Sequence, residues 1–188
     1  MNMKLIKIFA AMLCILLTCC KEDEINWENS SNPSIEYTVE GVDFMFCLLD
    51  KNGNPSTTFK EWENFSFYFK MSNNREDELY VSEGISGLFC NPELGDLTTL
   101  DNQTIKHPIS RACGRSLNTF PFYGDNKVIE LTIPWNFDLE SEYIVTKVHI
   151  PKGKYYTKFT HKFLYVFKDH SPSLSIDPLT FKIFFEIL

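Results

Sequence analysis

The sequence predicts an all-β domain, an antiparallel two-sheet sandwich of immunoglobulin-like size, preceded by a signal helix and a flexible linker. Three observations predict it. Apolar and polar residues alternate with a period of two in several segments, and turn residues punctuate most of the gaps between them. The chain holds 17 Phe, 8 Tyr and 3 Trp, residue types that favour strands and build large cores. No amphipathic helical period follows the first apolar run.

Residues 1–7 (MNMKLIK) carry two lysines and no acid, and residues 8–18 (IFAAMLCILLT) carry no charge. A basic start followed by a short apolar run is a secretory signal, too short for the ~20 apolar residues of a membrane span. Residues 1–19 are therefore read as a signal peptide and 20–38 as a polar, acidic tether. Residues 39–188 are read as one domain.

Within that domain Val42 to Leu49 is an apolar run that suits a strand buried on both faces, and Asp50-Lys51-Asn52-Gly53-Asn54-Pro55 closes it with a turn. Phe65, Phe67, Phe69 and Met71 alternate with Ser66, Tyr68 and Lys70. Leu79 to Val81 is a short strand, and Val128 to Ile133 is another that stops at Pro134. Residues 143–150 (YIVTKVHI) are a further candidate. Tyr155, Thr157, Phe159, His161, Phe163, Tyr165 and Phe167 share one parity and read as a single long strand able to bend or bulge. Phe181 to Ile187 closes the chain. Residues 83–124, rich in Gly and Pro, form a loop-rich excursion.

Leu17-Thr18-Cys19-Cys20 resembles the lipobox of bacterial lipoproteins, whose cysteine thiolate accepts a diacylglyceryl group. Cys20 is the preferred acceptor, because Lys21-Glu22-Asp23-Glu24 then follows it directly; Cys19 is the competing one. That lysine-plus-acidic run resembles the surface-export signal of Bacteroidetes lipoproteins. Together with FKEWENFSFYFKMSNN, ELTIPW, PKGKYYTKFTHKF and FKIFFEI, these features resemble uncharacterised small Bacteroidetes surface lipoproteins with one immunoglobulin-like domain. The resemblance implies an acylated chain, palmitate or a similar acid among its lipids, on the outer membrane and facing the exterior. A fainter similarity links the strand from Phe65 to Asn74 to the intracellular proteinase inhibitor domain, with no reactive loop to match.

Composition narrows the partners. Lys4 and Lys7 leave with the signal, so 16 basic residues face 25 acidic ones, a mature formal charge of −9. Such a chain is a poor nucleic-acid binder. Three cysteines remain in the domain. Cys90 and Cys113 lie in loop-like sequence and are the expected disulfide pair, while Cys47 reads as a buried small hydrophobe.

No cofactor motif is visible and no metal is expected, with one weak calcium candidate in Asp50, Asn52, Asn54 and Glu61. These stand at positions one, three, five and twelve of an EF-hand-like spacing, but Pro55 occupies the position that needs glycine. Asp169-His170-Ser171 cannot form a catalytic triad among themselves, because neighbours on a strand point to opposite faces. His107 and His149 have no partner at a telling spacing, and the carboxylate pairs Glu61/Glu63 and Glu140/Glu142 suit solvated faces. Trp62, just before one strand, and Trp135, just after another, are candidate stacking residues for a glycan or a protein partner.

The expected function is a non-enzymatic binding or scaffolding module at the cell envelope. An envelope hydrolase with its site in residues 83–124 and a proteinase inhibitor of similar fold are the alternatives. Cys20→Ala should abolish fatty-acid labelling of the expressed precursor; labelling that persists in this variant would make Cys19 the acceptor.

Overall fold

In the computed structural model of the chain, residues 32–82, 88, 90–108, 119–135, 148–167 and 174–188 are described. Their strands are β1 (Ser34–Val39), β2 (Val42–Leu49), β3 (Thr58–Phe59), β4 (Phe65–Asn73), β5 (Leu79–Ser82), β6 (Leu97–Thr99) and β7 (Thr104–Ile105). They continue with β8 (Thr119–Phe122), β9 (Val128–Trp135), β10 (Gly153–His161), β11 (Leu164–Phe167), β12 (Leu174–Ser175) and β13 (Leu179–Ile187). Apart from a short 3-10 turn at Gly124–Asn126, the regular elements among the described residues are β-strands, as the sequence predicts, in mainly antiparallel sheets.

The first sheet runs β1-β2-β4-β9, antiparallel throughout. The second runs β3-β13-β10-β6-β7, with one parallel pairing, β3 on β13. The third runs β12-β11-β5-β8. The first two sheets pack through their inner faces. Phe44, Phe46, Phe67, Phe69 and Met71 on the first are buried in one core with Tyr155, Phe159, Phe181, Ile183 and Phe185 on the second. Each of these phenylalanines contributes about 1.5–3 kcal/mol by leaving water.

The run 155–167 keeps its parity but not its unity. β10 ends where His161 faces Leu179, Lys162 and Phe163 leave the sheet, and β11 pairs instead with β5 and β12. Phe163 and Tyr165 remain buried on the parity set by Thr157 and Phe159. The third sheet thus extends the sandwich beyond the second. Phe163 packs against Phe69 (5.9 Å between ring centroids, planes 7° apart), and Tyr165 directs its hydroxyl at Met71 Sδ, 3.9 Å away.

Other boundaries differ from the sequence reading. β1 begins at Ser34, inside the stretch expected to be tether, because Ile35, Tyr37 and Val39 lie on the core side of the sheet. Glu40 and Gly41 join β1 to β2 with φ of 52° and 77°, the left-handed pair that a tight hairpin of matching twist requires. β9 runs through Pro134 to Trp135, which an edge strand permits since the missing N–H need not be supplied to a neighbour. The excursion at 83–124 contributes β6, β7 and β8. Val148, His149 and Ile150 lie in no strand, and 143–147 fall outside the described residues.

Cys47 is buried, as expected, yet its register with Ser34 and Tyr68 places it on the outward parity of the first sheet. Burial, with the nearby Glu36 carboxylate, pushes its thiol up to about 11 from 9.0. A raised pKa means the folded state favours the neutral thiol. That contribution to stability is complete below pH 9.0 and is lost as pH rises towards about 11. Cys47 should therefore resist an aromatic disulfide reagent at pH 8 until the protein is unfolded; prompt labelling of the native chain would contradict the packing described.

Candidate functional site

The connection from β3 to β4 forms an exposed corner. Lys60, Glu61, Trp62 and Glu63 make a turn closed by Glu63 N–H donating to Lys60 O at 2.9 Å. The Glu63 side chain answers by accepting from Lys60 N–H at 2.9 Å. Glu61 N–H donates to Leu188 O at 3.1 Å and ties the turn to the C-terminus. Phe59 and Phe65, on either side, are buried and stacked on each other at 4.8 Å. A rigid aromatic pair thus holds both ends of the turn.

Trp62 stands at the third position of this turn with φ of 68°. That position ordinarily takes glycine when φ is positive. A bulky residue there stores roughly 1–3 kcal/mol of backbone strain. The indole is 60% exposed, the most exposed of the large apolar side chains described. Its ring stacks on the imidazole of His149, centroids 4.2 Å apart and planes 18° from parallel. His149 Nε2 lies 2.9 Å from Glu61 Oε1, so the acid beside Trp62 fixes the imidazole that supports the indole.

Lys51 approaches Glu63 Oε1 at 3.8 Å from the turn after β2. Lys51, Lys60, Glu61, Trp62, Glu63 and Asn64 line an open depression of about 330 Å³. The arrangement offers a flat apolar face ringed by ammonium, carboxylate and amide groups, and no hydroxyl or thiol lines it. That chemistry suits stacking and hydrogen bonding to a ring-shaped polar ligand.

The other sequence candidates distribute as follows. Trp135 is not a stacking residue: it is fully buried, parallel to Phe65 (6.0 Å, 5°) and edge-on to His107 (5.2 Å, 85°). It shares the inward parity of Ile133, and that parity could have identified it as core. The calcium candidate is not assembled either. Asp50 Oδ1 accepts from the N–H groups of Asn52 and Asn54, each at 2.8 Å, and these bonds hold the Asp50 carboxyl below its usual pKa. Glu61 turns to His149 instead of joining it. The segment is an Asx-type turn.

Cys90 is disulfide-bonded; Cys113, its expected partner, lies outside the described residues, as do Cys20, Lys21, Glu22, Asp23, Glu24, Glu140, Glu142 and the Asp169–Ser171 segment. Both histidines that lacked partners by spacing have them in space. His107 Nε2 lies 3.2 Å from Pro134 O, and the His107 backbone N–H donates to Asp96 Oδ1 at 3.0 Å. His149 is the site residue that sequence reasoning missed, since 88 positions separate it from Glu61.

Comparison with protein-family models and with curated proteins finds no match to this chain.

Strain at Trp62 gives a stability test. Trp62→Gly should melt no lower than the parent, because relief of the left-handed backbone offsets the lost ring stack. A clear drop in melting temperature would mean that the Trp62–His149 stack holds the corner together.

Proposed function

We propose that the chain is a lipid-anchored cell-envelope protein that faces the exterior and binds a ligand without catalysing a reaction. In this reading its sandwich is immunoglobulin-like, and the Trp62 corner is where it meets a glycan. The observation that carries the reading is Trp62 itself. An indole held in a strained turn, exposed to solvent and backed by an imidazole, is costly to the fold and is supported by its surroundings in one orientation. Pyranose rings present an apolar C–H face to such an indole, while the charged and amide groups around it reach hydroxyls.

The immunoglobulin-like assignment is supported by two packed layers of mainly antiparallel strands, with the C-terminal strand β13 inside one layer. The anchor reading is supported by the sequence around Cys20 alone. A covalent lipid would hold the corner near extracellular polysaccharide, where a weak site gains from high local concentration.

The test uses the full chain in detergent against a panel of neutral oligosaccharides, with binding read by calorimetry and intrinsic fluorescence. At least one oligosaccharide should bind, and Trp62→Ala should weaken it by about tenfold or more, the loss typical of a central aromatic anchor. Absence of binding across the panel, or binding unchanged in Trp62→Ala, would remove the corner from consideration. Protease treatment of intact cells should digest the protein while a periplasmic control survives; protection would place it on the inner side of the outer membrane.

A further inference from the structure

The outward face of the second sheet carries a second feature, independent of the Trp62 corner. On β13 the outward residues are Thr180, Lys182, Phe184 and Glu186; on β10 they are Lys154, Tyr156, Lys158 and Thr160. Register places Tyr156 directly opposite Phe184, and Lys158 directly opposite Lys182. The two rings are 5.7 Å apart. The Lys182 ammonium lies over both, 4.3 Å from the Tyr156 centroid and 4.6 Å from that of Phe184.

Like charges directly opposite on neighbouring strands are destabilising. Here both are lysines in a chain with an excess of acid. The acids near this face have other contacts: Glu186 faces Lys154, Asp101, in the turn after β6, accepts from Thr99 and Gln103, and Glu93 accepts from the Thr160 N–H at 3.3 Å. Burial, and after it the neighbouring Lys158, lower the pKa of Lys182. The aromatic floor fixes the Lys182 ammonium where a flexible lysine would otherwise swing away.

Around the pair the face is hydroxyl-rich. Thr160 and Thr180 share a hydrogen bond at 2.9 Å, the Tyr156 hydroxyl donates to Asn102 at 3.0 Å, and Thr98 continues the row on β6. Hydroxyls and an amide beside two ammonium groups match a ligand that is itself polyhydroxylated and carries carboxylates. A bilayer surface would favour apolar residues ready to insert, and the outward positions of β10 and β13 offer only the Tyr156 and Phe184 rings beneath a lysine.

We infer that the outer face of β10 and β13 is a binding site for an acidic polysaccharide, with Lys158 and Lys182 jointly receiving one carboxylate beside the Tyr156–Phe184 pair. The ligand's charge relieves the repulsion that the cross-strand lysines otherwise impose. Binding is therefore salt-sensitive and strengthened by negative charge on the polymer.

The test is affinity electrophoresis of the full chain, in detergent and at low ionic strength, through gels containing polygalacturonate, with dextran gels as the uncharged control. Flotation with vesicles containing phosphatidylglycerol is the third arm. The parent should be retarded by polygalacturonate and not by dextran. Lys158→Gln combined with Lys182→Gln should reduce that affinity by about tenfold, as the loss of both halves of a charge-assisted contact does. The same double variant should melt no lower than the parent, since it removes repulsion, which separates lost binding from lost folding. Trp62→Ala should be retarded like the parent, so failure of the Trp62 corner leaves this site untouched. No retardation of the parent, equal retardation of the double variant, or binding to the vesicles and not to polygalacturonate would each overturn the inference.

Discussion

The interlocking of phenylalanines between the first and second sheets is the contact on which the rest depends. Phe46 meets Phe159 edge-on at 5.0 Å, and Phe69 meets Phe181 in the same manner at 5.5 Å. Phe159 and Phe181 then stack on each other at 4.8 Å across β10 and β13. Edge-to-face and offset pairs of this kind add about 0.5–1.5 kcal/mol each beyond the area they bury. They also fix register, because a one-residue slip of any of these strands would turn its phenylalanines outward. The chain of rings continues through Phe185 and Phe65 to Phe59, and so reaches the two ends of the Trp62 turn. The exposed corner is therefore as well positioned as the core is packed.

Polar groups close the places where the sheets part. Asn73, at the end of β4 and almost wholly buried, donates to Phe122 O at 2.6 Å and receives the Arg75 N–H at 2.9 Å. It joins the first sheet to the third where the chain crosses between them. His107 does the equivalent at the other end by reaching Pro134 O on the edge strand β9. The Tyr37 hydroxyl donates to Thr180 O at 2.7 Å and ties β1 to β13. The Asn73, His107 and Tyr37 side chains each reach a backbone carbonyl, and a buried polar group left without its partner would cost about 1–3 kcal/mol.

The long strands were legible because their burial follows a period of two. β4 reads buried at every second residue from Phe65 to Asn73, and β13 does the same from Phe181 to Ile187. β1 was hidden because Glu-Gly is a weaker hairpin signal than Asn-Gly, and its outward face of Ser34, Glu36 and Thr38 looks like tether. β3, β7 and β12, two residues each, are too short to show any period. The two tryptophans looked alike in sequence, each beside a strand. What separates them is that Trp135 continues a strand's inward parity while Trp62 belongs to a turn. The pairing of Trp62 with His149 was beyond sequence reasoning, since it is set by how β3, β4 and the segment before β10 come together.

Net charge describes this molecule poorly at the scale on which ligands meet it. The chain is acidic overall, with 25 acidic against 18 basic residues, a balance that repels polyanions at long range. At physiological salt, however, exposed charges are screened beyond about 8 Å. Over that distance Lys158 and Lys182 feel each other and the rings beneath them more than the acids at the far ends of the chain. An acidic protein can then present one cationic, aromatic-floored face without contradiction. The surrounding excess of acid sharpens the selectivity of that face, because an anionic polymer is held only where the lysines stand and is repelled elsewhere. Strain at Trp62 and repulsion at Lys158 and Lys182 are departures from what the fold alone would favour. Both sit on surfaces that the phenylalanine core holds in place, where local rules are broken most often for the sake of binding.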